Sequence, residues 1–172
     1  MRLETVDKGR YRRQVNQVTL GFVGALALLS VALGAGLIAL FGQGPSAPGE
    51  STGHFHLNLM GVILALGLCS AVLAGLRRHP RFHELFYVWQ LKQMQNRLYR
   101  KLARIQAAAE GNDPKALSML DFYHRSRKLV YELDNNTLTL SAVERDLARV
   151  VEQAEALDEP LPAFDPQWLA DY

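Results

Sequence analysis

Apolar positions along this chain follow two different patterns: two unbroken runs in the first half and three interrupted, periodic stretches in the second. From Val18 to Phe41 the sequence VTLGFVGALALLSVALGAGLIALF carries no charge, and as a helix it would extend roughly 36 Å at about 1.5 Å per residue. A bilayer's hydrocarbon core is about 30 Å thick, so this run predicts a transmembrane helix. A second uncharged run, Phe55 to Leu76, is about as long, with His56 and Asn58 confined to its first turn. A core helix of a soluble bundle keeps a polar stripe toward water, and neither run carries charge on any face. The first run also exceeds the roughly 7 to 15 residues of a signal-peptide core, and its best small-residue cleavage point, Ser46-Ala47, is followed by Pro48. Retention as an anchor is expected.

The second half reads as amphipathic helices. Residues 82–110 contain no Gly or Pro, and Leu91, Met94, Leu98, Leu102 and Ile105 recur at spacings of three and four, which predicts one long helix stopped by Gly111. Asp113 and Pro114 restart the chain as cap and first-turn residue of a second helix. Its apolar positions are Leu117, Leu120, Tyr123, Leu129, Val130 and Leu133, and Asp134-Asn135-Asn136 should end it. A third helix is expected from Ser141, with Glu144 completing a capping box and Val143, Leu147, Val150, Val151, Ala154 and Leu157 on one face. The fold class is therefore all-α: a two-helix transmembrane hairpin followed by a cytoplasmic antiparallel bundle of about three helices. Its expected divisions are a basic N-terminal segment (1–17), a first span (18–41), a connecting loop (42–54), a second span (55–76), a helical domain (77–157) and a tail rich in Pro and aromatics (158–172).

Charge then orients the hairpin. Arg2, Lys8, Arg10, Arg12 and Arg13 precede the first span, Arg77, Arg78 and Arg81 follow the second, and residues 42–54 contain no Lys or Arg. The positive-inside rule puts both termini in the cytoplasm of a bacterial cell and makes the Gly-, Pro- and Ser-rich loop a periplasmic turn. Within the spans, Ser30 and Gly34, Ala32 and Gly36, and Gly67, Ala71 and Gly75 recur every four residues, a pattern that lets helices pack closely. No charge sits at mid-depth, so no ion path or proton relay is indicated. Cys69, the single cysteine, reads as an inert packed thiol.

The helical domain is electrically divided. Residues 77–104 hold eight basic side chains, Arg77, Arg78, Arg81, Lys92, Arg97, Arg100, Lys101 and Arg104, against Glu84 alone, whereas residues 131–172 hold ten acidic ones against Arg145 and Arg149. Solvated faces with interhelical ion pairs explain this blandly. More sharply, the basic surface faces anionic lipid head groups or a membrane or cytoplasmic protein partner. Nucleic acid is disfavoured, because Phe86, Tyr87, Trp89 and Tyr99 beside a membrane exit read as interface anchors or core. The heptad-like Leu91, Leu98 and Ile105 leave a homo-oligomer open, although an intrachain bundle uses the same residues. In the tail, Phe164, Trp168 and Tyr172 form an apolar anchor for the bundle or for a partner.

The segments Tyr87-Val88-Trp89-Gln90-Leu91-Lys92-Gln93 and Asn96-Arg97-Leu98-Tyr99-Arg100-Lys101-Leu102, with the later Tyr131-Glu132-Leu133-Asp134-Asn135-Asn136-Thr137, resemble the proteobacterial family catalogued as domain of unknown function 3087. The resemblance covers nearly the whole chain, implies an inner-membrane protein, and supplies no catalytic residues to carry over.

Chemistry-bearing residues are sparse. His54 and His56 flank the start of the second span, and His79 and His83 stand four apart at its exit with Pro80 between them. His79 and His83 are candidate metal ligands, but no Cys completes a set, and no metal or other cofactor is expected. His124 has no partner nearby in sequence. The chain has no phosphate-binding loop, nucleophile elbow or HExxH arrangement. Two function classes remain: a membrane-anchored interaction protein (accessory subunit, assembly factor or scaffold), and a small membrane-surface enzyme or metal- or haem-binding redox component using the interfacial histidines.

Overall fold

The computed structural model describes residues 3–42, 53–157 and 159–172. Arg2, the Ser46-Ala47-Pro48 site and most of the connecting loop lie outside the described residues. Regular structure among the described residues is helical: α1 (Lys8–Phe41), α2 (Phe55–Leu76), a 3-10 turn (Pro80–Phe82), α3 (His83–Tyr99), α4 (Leu102–Glu110), α5 (Pro114–Leu133), α6 (Leu140–Glu155) and a closing 3-10 turn (Pro166–Ala170). These elements make two compact units, Arg13–His83 and a second built from Met1–Arg12 together with Glu84–Tyr172.

In the first unit, α1 and α2 are long and apolar enough to cross a membrane. Leu20, Leu28, Val31, Leu40, Phe55 and Val72 are among the large side chains left exposed, a surface that hydrocarbon can cover and water cannot favourably solvate. The helices approach closely at Gly34 and Gly61: a Cβ on Gly61 would stand 2.6 Å from the Gly34 amide nitrogen, and one on Gly34 would stand 2.9 Å from Asn58 Oδ1. Gly61, Ala65 and Cys69 are the buried residues of α2. The small-residue stripe expected to pack is therefore only half used within the chain. Gly34 is in the contact and Ser30 is half-buried, but Ala71 is exposed and nothing stands within 4 Å of a Cβ on Gly67 or Gly75. Two residues rotate a helix by about 200°, so a face through 61, 65 and 69 turns 67, 71 and 75 away.

The second unit is organised around α5, which packs on both α4 and α6 and is buried on most of its circumference. Leu117 and Met119 are fully enclosed, as are Leu91 and Ile105, so the heptad-like positions are consumed by packing inside the unit. Asp113 caps α5 as its sequence suggested, accepting the Lys115 amide at 2.9 Å, with Pro114 in the first turn. The helix ends at Asp134, and Asn135 takes a φ of 57°. After α4 the left-handed residue is Asn112 (φ 60°), one past Gly111, which caps the helix at φ −84°. Asparagine is one of the few residues that accepts this conformation readily.

Two expected boundaries are corrected. The single helix over residues 82–110 is divided at Arg100 and Lys101, where the Lys101 amide bonds three residues back to Leu98 and the Lys101 φ is −113°. No helix-breaking residue lies there. The interruption coincides with a tertiary contact instead, since the Lys101 ammonium and the Arg104 guanidinium donate to main-chain oxygens of Leu169 and Tyr172. The capping box at Ser141 does not form: α6 begins at Leu140 with Thr139 before it and no side-chain cap. The turn at Thr137, whose carbonyl accepts the Leu140 amide, starts the helix early and carries Ser141 into the first turn.

Candidate functional site

The break between α3 and α4 lies beside a strongly basic concavity of the second unit. Arg97 comes from the last turn of α3, Arg100 and Lys101 from the break, and Arg104 from α4; with Pro166, Gln167, Leu169 and Ala170 they line an open groove of about 770 Å³. No carboxylate is among those lining residues.

The tail wall is fixed by packing. Phe164 is buried and stacks on Phe122 with ring centroids 4.3 Å apart, and the half-buried Trp168 meets Phe164 edge-on at 6.4 Å, with Lys115 Nζ 5.9 Å from its ring centre. Ser118 Oγ donates to the Pro162 carbonyl at 2.7 Å, and Asp165 accepts the Gln167 amide at 2.9 Å to start the closing 3-10 turn. Tyr172 donates its hydroxyl to Asp113 Oδ2 at 2.5 Å. Of the two fates open to Phe164, Trp168 and Tyr172, docking on the helical unit is the one observed. Burial, followed by the Asp113 hydrogen bond and charge, pushes the Tyr172 phenol up to about 12. On Asp113, burial works to raise the carboxyl, but the Tyr172 hydroxyl and the backbone amides of the α5 cap outweigh it and hold the carboxyl below its ordinary value.

The eight basic residues of the predicted surface do not act alike. Arg77, Arg78 and Arg81 belong to the first unit. Lys92 pairs with Asp134 Oδ2 at 2.7 Å, and Tyr11 donates to the other oxygen of the same carboxylate at 3.3 Å. Burial opposes the Lys92 charge, yet the Asp134 hydrogen bond and the neighbouring Tyr11 and Asp134 raise its pKa, so this partly exposed lysine is paired within its own unit. Lys101 and Arg104 hold the tail. Arg97, Arg100 and Arg104 are the exposed cations of the groove, and Arg104 is engaged by the Tyr172 main-chain oxygen.

Two features went unanticipated in the sequence. Tyr11 is buried beside the Asp134 turn, which brings residues 3–12 into the helical unit; the Glu4 amide adds a 2.9 Å bond to the Tyr87 hydroxyl. Arg127 lies 5.2 and 5.4 Å from the ring centres of Tyr123 and Tyr131 and donates to the Tyr131 hydroxyl at 2.9 Å, a cation–π arrangement whose signal was their spacing of four on one helix. Beside Tyr123, His124 is buried with Nδ1 unpartnered, and burial, ahead of its charged neighbours, lowers its pKa.

The candidate metal ligands are not gathered into a set. His79 Nδ1 accepts the Arg81 amide at 3.2 Å, while His83 opens α3, and among the described residues no three His, Cys, Asp or Glu side chains are grouped to hold a metal ion.

A family model described as "Protein of unknown function (DUF3087)" matches residues 1–168. No curated protein and no solved structure matches the chain.

Proposed function

The chain belongs to the DUF3087 family, and from that premise we propose a membrane-anchored interaction protein of the bacterial inner membrane, with both termini cytoplasmic, that holds an acidic protein partner in the groove at Arg97 and Arg100. The single observation that carries this reading is the groove itself, four cations without a carboxylate among the lining residues, in a chain with two exposed apolar helices long enough to span a membrane. Electropositive clefts focus their field and recruit oppositely charged surfaces, and arginine binds carboxylates in bidentate fashion. An accessory subunit, an assembly factor or a scaffold would each use such a surface. Anionic head groups near Arg77, Arg78 and Arg81 would hold the other unit at the membrane.

The test is co-purification from native membranes in mild detergent, comparing the wild-type protein with an Arg97→Glu, Arg100→Glu double variant. Neither arginine anchors the tail, so the variant keeps the docked aromatics. A stoichiometric acidic partner should be retained by the wild type, be lost from the variant, and dissociate as ionic strength rises from about 0.05 to about 0.5 M, where the Debye length shrinks several-fold. A partner set indifferent both to charge reversal and to salt overturns the proposal.

A further inference from the structure

Close contact between α1 and α2 at Gly34 and Gly61 does not continue along the whole pair. Toward the end of the unit that carries Arg13, Arg77, Arg78 and Arg81, a cleft of about 300 Å³ opens between the helices, with Gln17, Gly21, Ala25, Cys69, Leu73 and Phe82 among its lining residues. Gln17 supplies the one amide of that lining; the rest is hydrocarbon, aromatic or thiol. Water gains too few hydrogen bonds to occupy such a space, and an empty one forfeits the dispersion contacts of every side chain around it. In a bilayer the abundant filler is an acyl chain.

Charge at the mouth selects the lipid class. Gln17 follows Arg13 by one helical turn and Phe82 follows Arg81 directly, so two of the lining residues stand beside arginines along the chain. Gln14, one residue beyond Arg13, donates to the Arg81 carbonyl at 2.6 Å, which holds the two arginine-bearing segments together. We propose that this cleft binds one acyl chain of an anionic phospholipid, with the phosphate held by the arginines at its mouth. A guanidinium grips phosphate bidentately, which a zwitterionic surface lipid with its own cation satisfies less well. The inference rests on the membrane-spanning reading and adds to it a specific, countable ligand.

Two glycines of α1 provide the test. A Cβ at Gly21 or at Gly24 meets nothing within 4 Å, but Gly21 lines the cleft and Gly24 does not. Gly21→Leu should fill the cleft without disturbing the helix contact, and Gly24→Leu is the matched control. The full-length protein, washed extensively in detergent and then offered nanodiscs of phosphatidylglycerol or phosphatidylcholine, is to be examined by native mass spectrometry. The wild type and Gly24→Leu should retain about one phosphatidylglycerol per chain, with at least a tenfold loss of retention, about 1.4 kcal/mol, in Gly21→Leu. Arg13→Gln combined with Arg81→Gln should remove the preference for phosphatidylglycerol over phosphatidylcholine. Equal retention by the two leucine variants, or no headgroup preference in the wild type, overturns the inference while leaving the membrane anchor intact; a protein found outside the membrane fraction overturns both.

Discussion

At the scale of single residues, the contact between Tyr172 and Asp113 has a pH dependence that can be read in its sign. The Tyr172 phenol is pushed up to about 12 from an ordinary value of 10.0. A group whose pKa is raised by folding contributes stability that is present below its unfolded pKa and is lost as pH climbs through the folded one. Tail docking should therefore persist to about pH 10 and fail between there and about 12. Asp113 works in the opposite direction: its lowered pKa contributes stability above the ordinary carboxylate range, lost on acidification, and it stays ionised throughout the alkaline window. The chain has two tryptophans, so a Trp89→Phe background leaves Trp168 as the reporter beside Lys115. Its fluorescence should show an alkaline transition that Tyr172→Phe abolishes. If the phenylalanine variant keeps the same transition, the hydroxyl does not control docking.

At the scale of elements, the decisive contact is the crossing of α1 and α2. A side chain at Gly61 would strike backbone at Gly34, and no rotamer change relieves that, whereas the same substitution at Gly67 enters open space. Gly61→Val should destabilise the helix pair by about 1 to 3 kcal/mol, as overpacking does, and Gly67→Val should fall within about 0.5 kcal/mol of wild type. Thermal unfolding in detergent separates the two, and a larger effect at Gly67 would place the contact on the wrong face. This distinction also marks how far the sequence can be read. That α1 and α2 are long apolar helices is evident from the absence of charge between Val18 and Phe41 and between Phe55 and Leu76, and the α5 start is evident from Asp113-Pro114, because both signals are local. Which of two small-residue stripes meets the neighbour is not local: both repeat every four residues, and only the partner helix chooses. The break at Arg100 and Lys101 is hidden for the same reason, since the tail oxygens that engage Lys101 and Arg104 come from positions 169 and 172. Of the candidate site, the cluster of Arg97, Arg100, Lys101 and Arg104 was visible as charge density, but the withdrawal of Lys92 into its pair with Asp134, and the tail's service as a groove wall, required the fold.

At the scale of the whole molecule, the chain is built for two solvents, and its charges are arranged accordingly. Only 6% and 17% of the most apolar stretches of α1 and α2 are buried within the described residues, so their apolar faces must be covered by something else. At roughly 25 cal/mol per Å² of apolar surface removed from water, hydrocarbon around two such helices outweighs any arrangement that leaves them in solution. Cations should then set the direction of insertion: five precede the first apolar run, three closely follow the second, and none lies in residues 42–54. Because arginine and lysine beside a span resist translocation, both ends should remain on the side of synthesis. A green fluorescent protein fused after Tyr172 should fluoresce and alkaline phosphatase at the same point should be inactive, whereas alkaline phosphatase inserted in the 42–54 segment should be active. Reversal of that pattern would put the Arg97 and Arg100 groove outside the cytoplasm and would exclude a cytoplasmic partner, while activity at neither point would show that the two apolar helices do not cross the membrane as a pair.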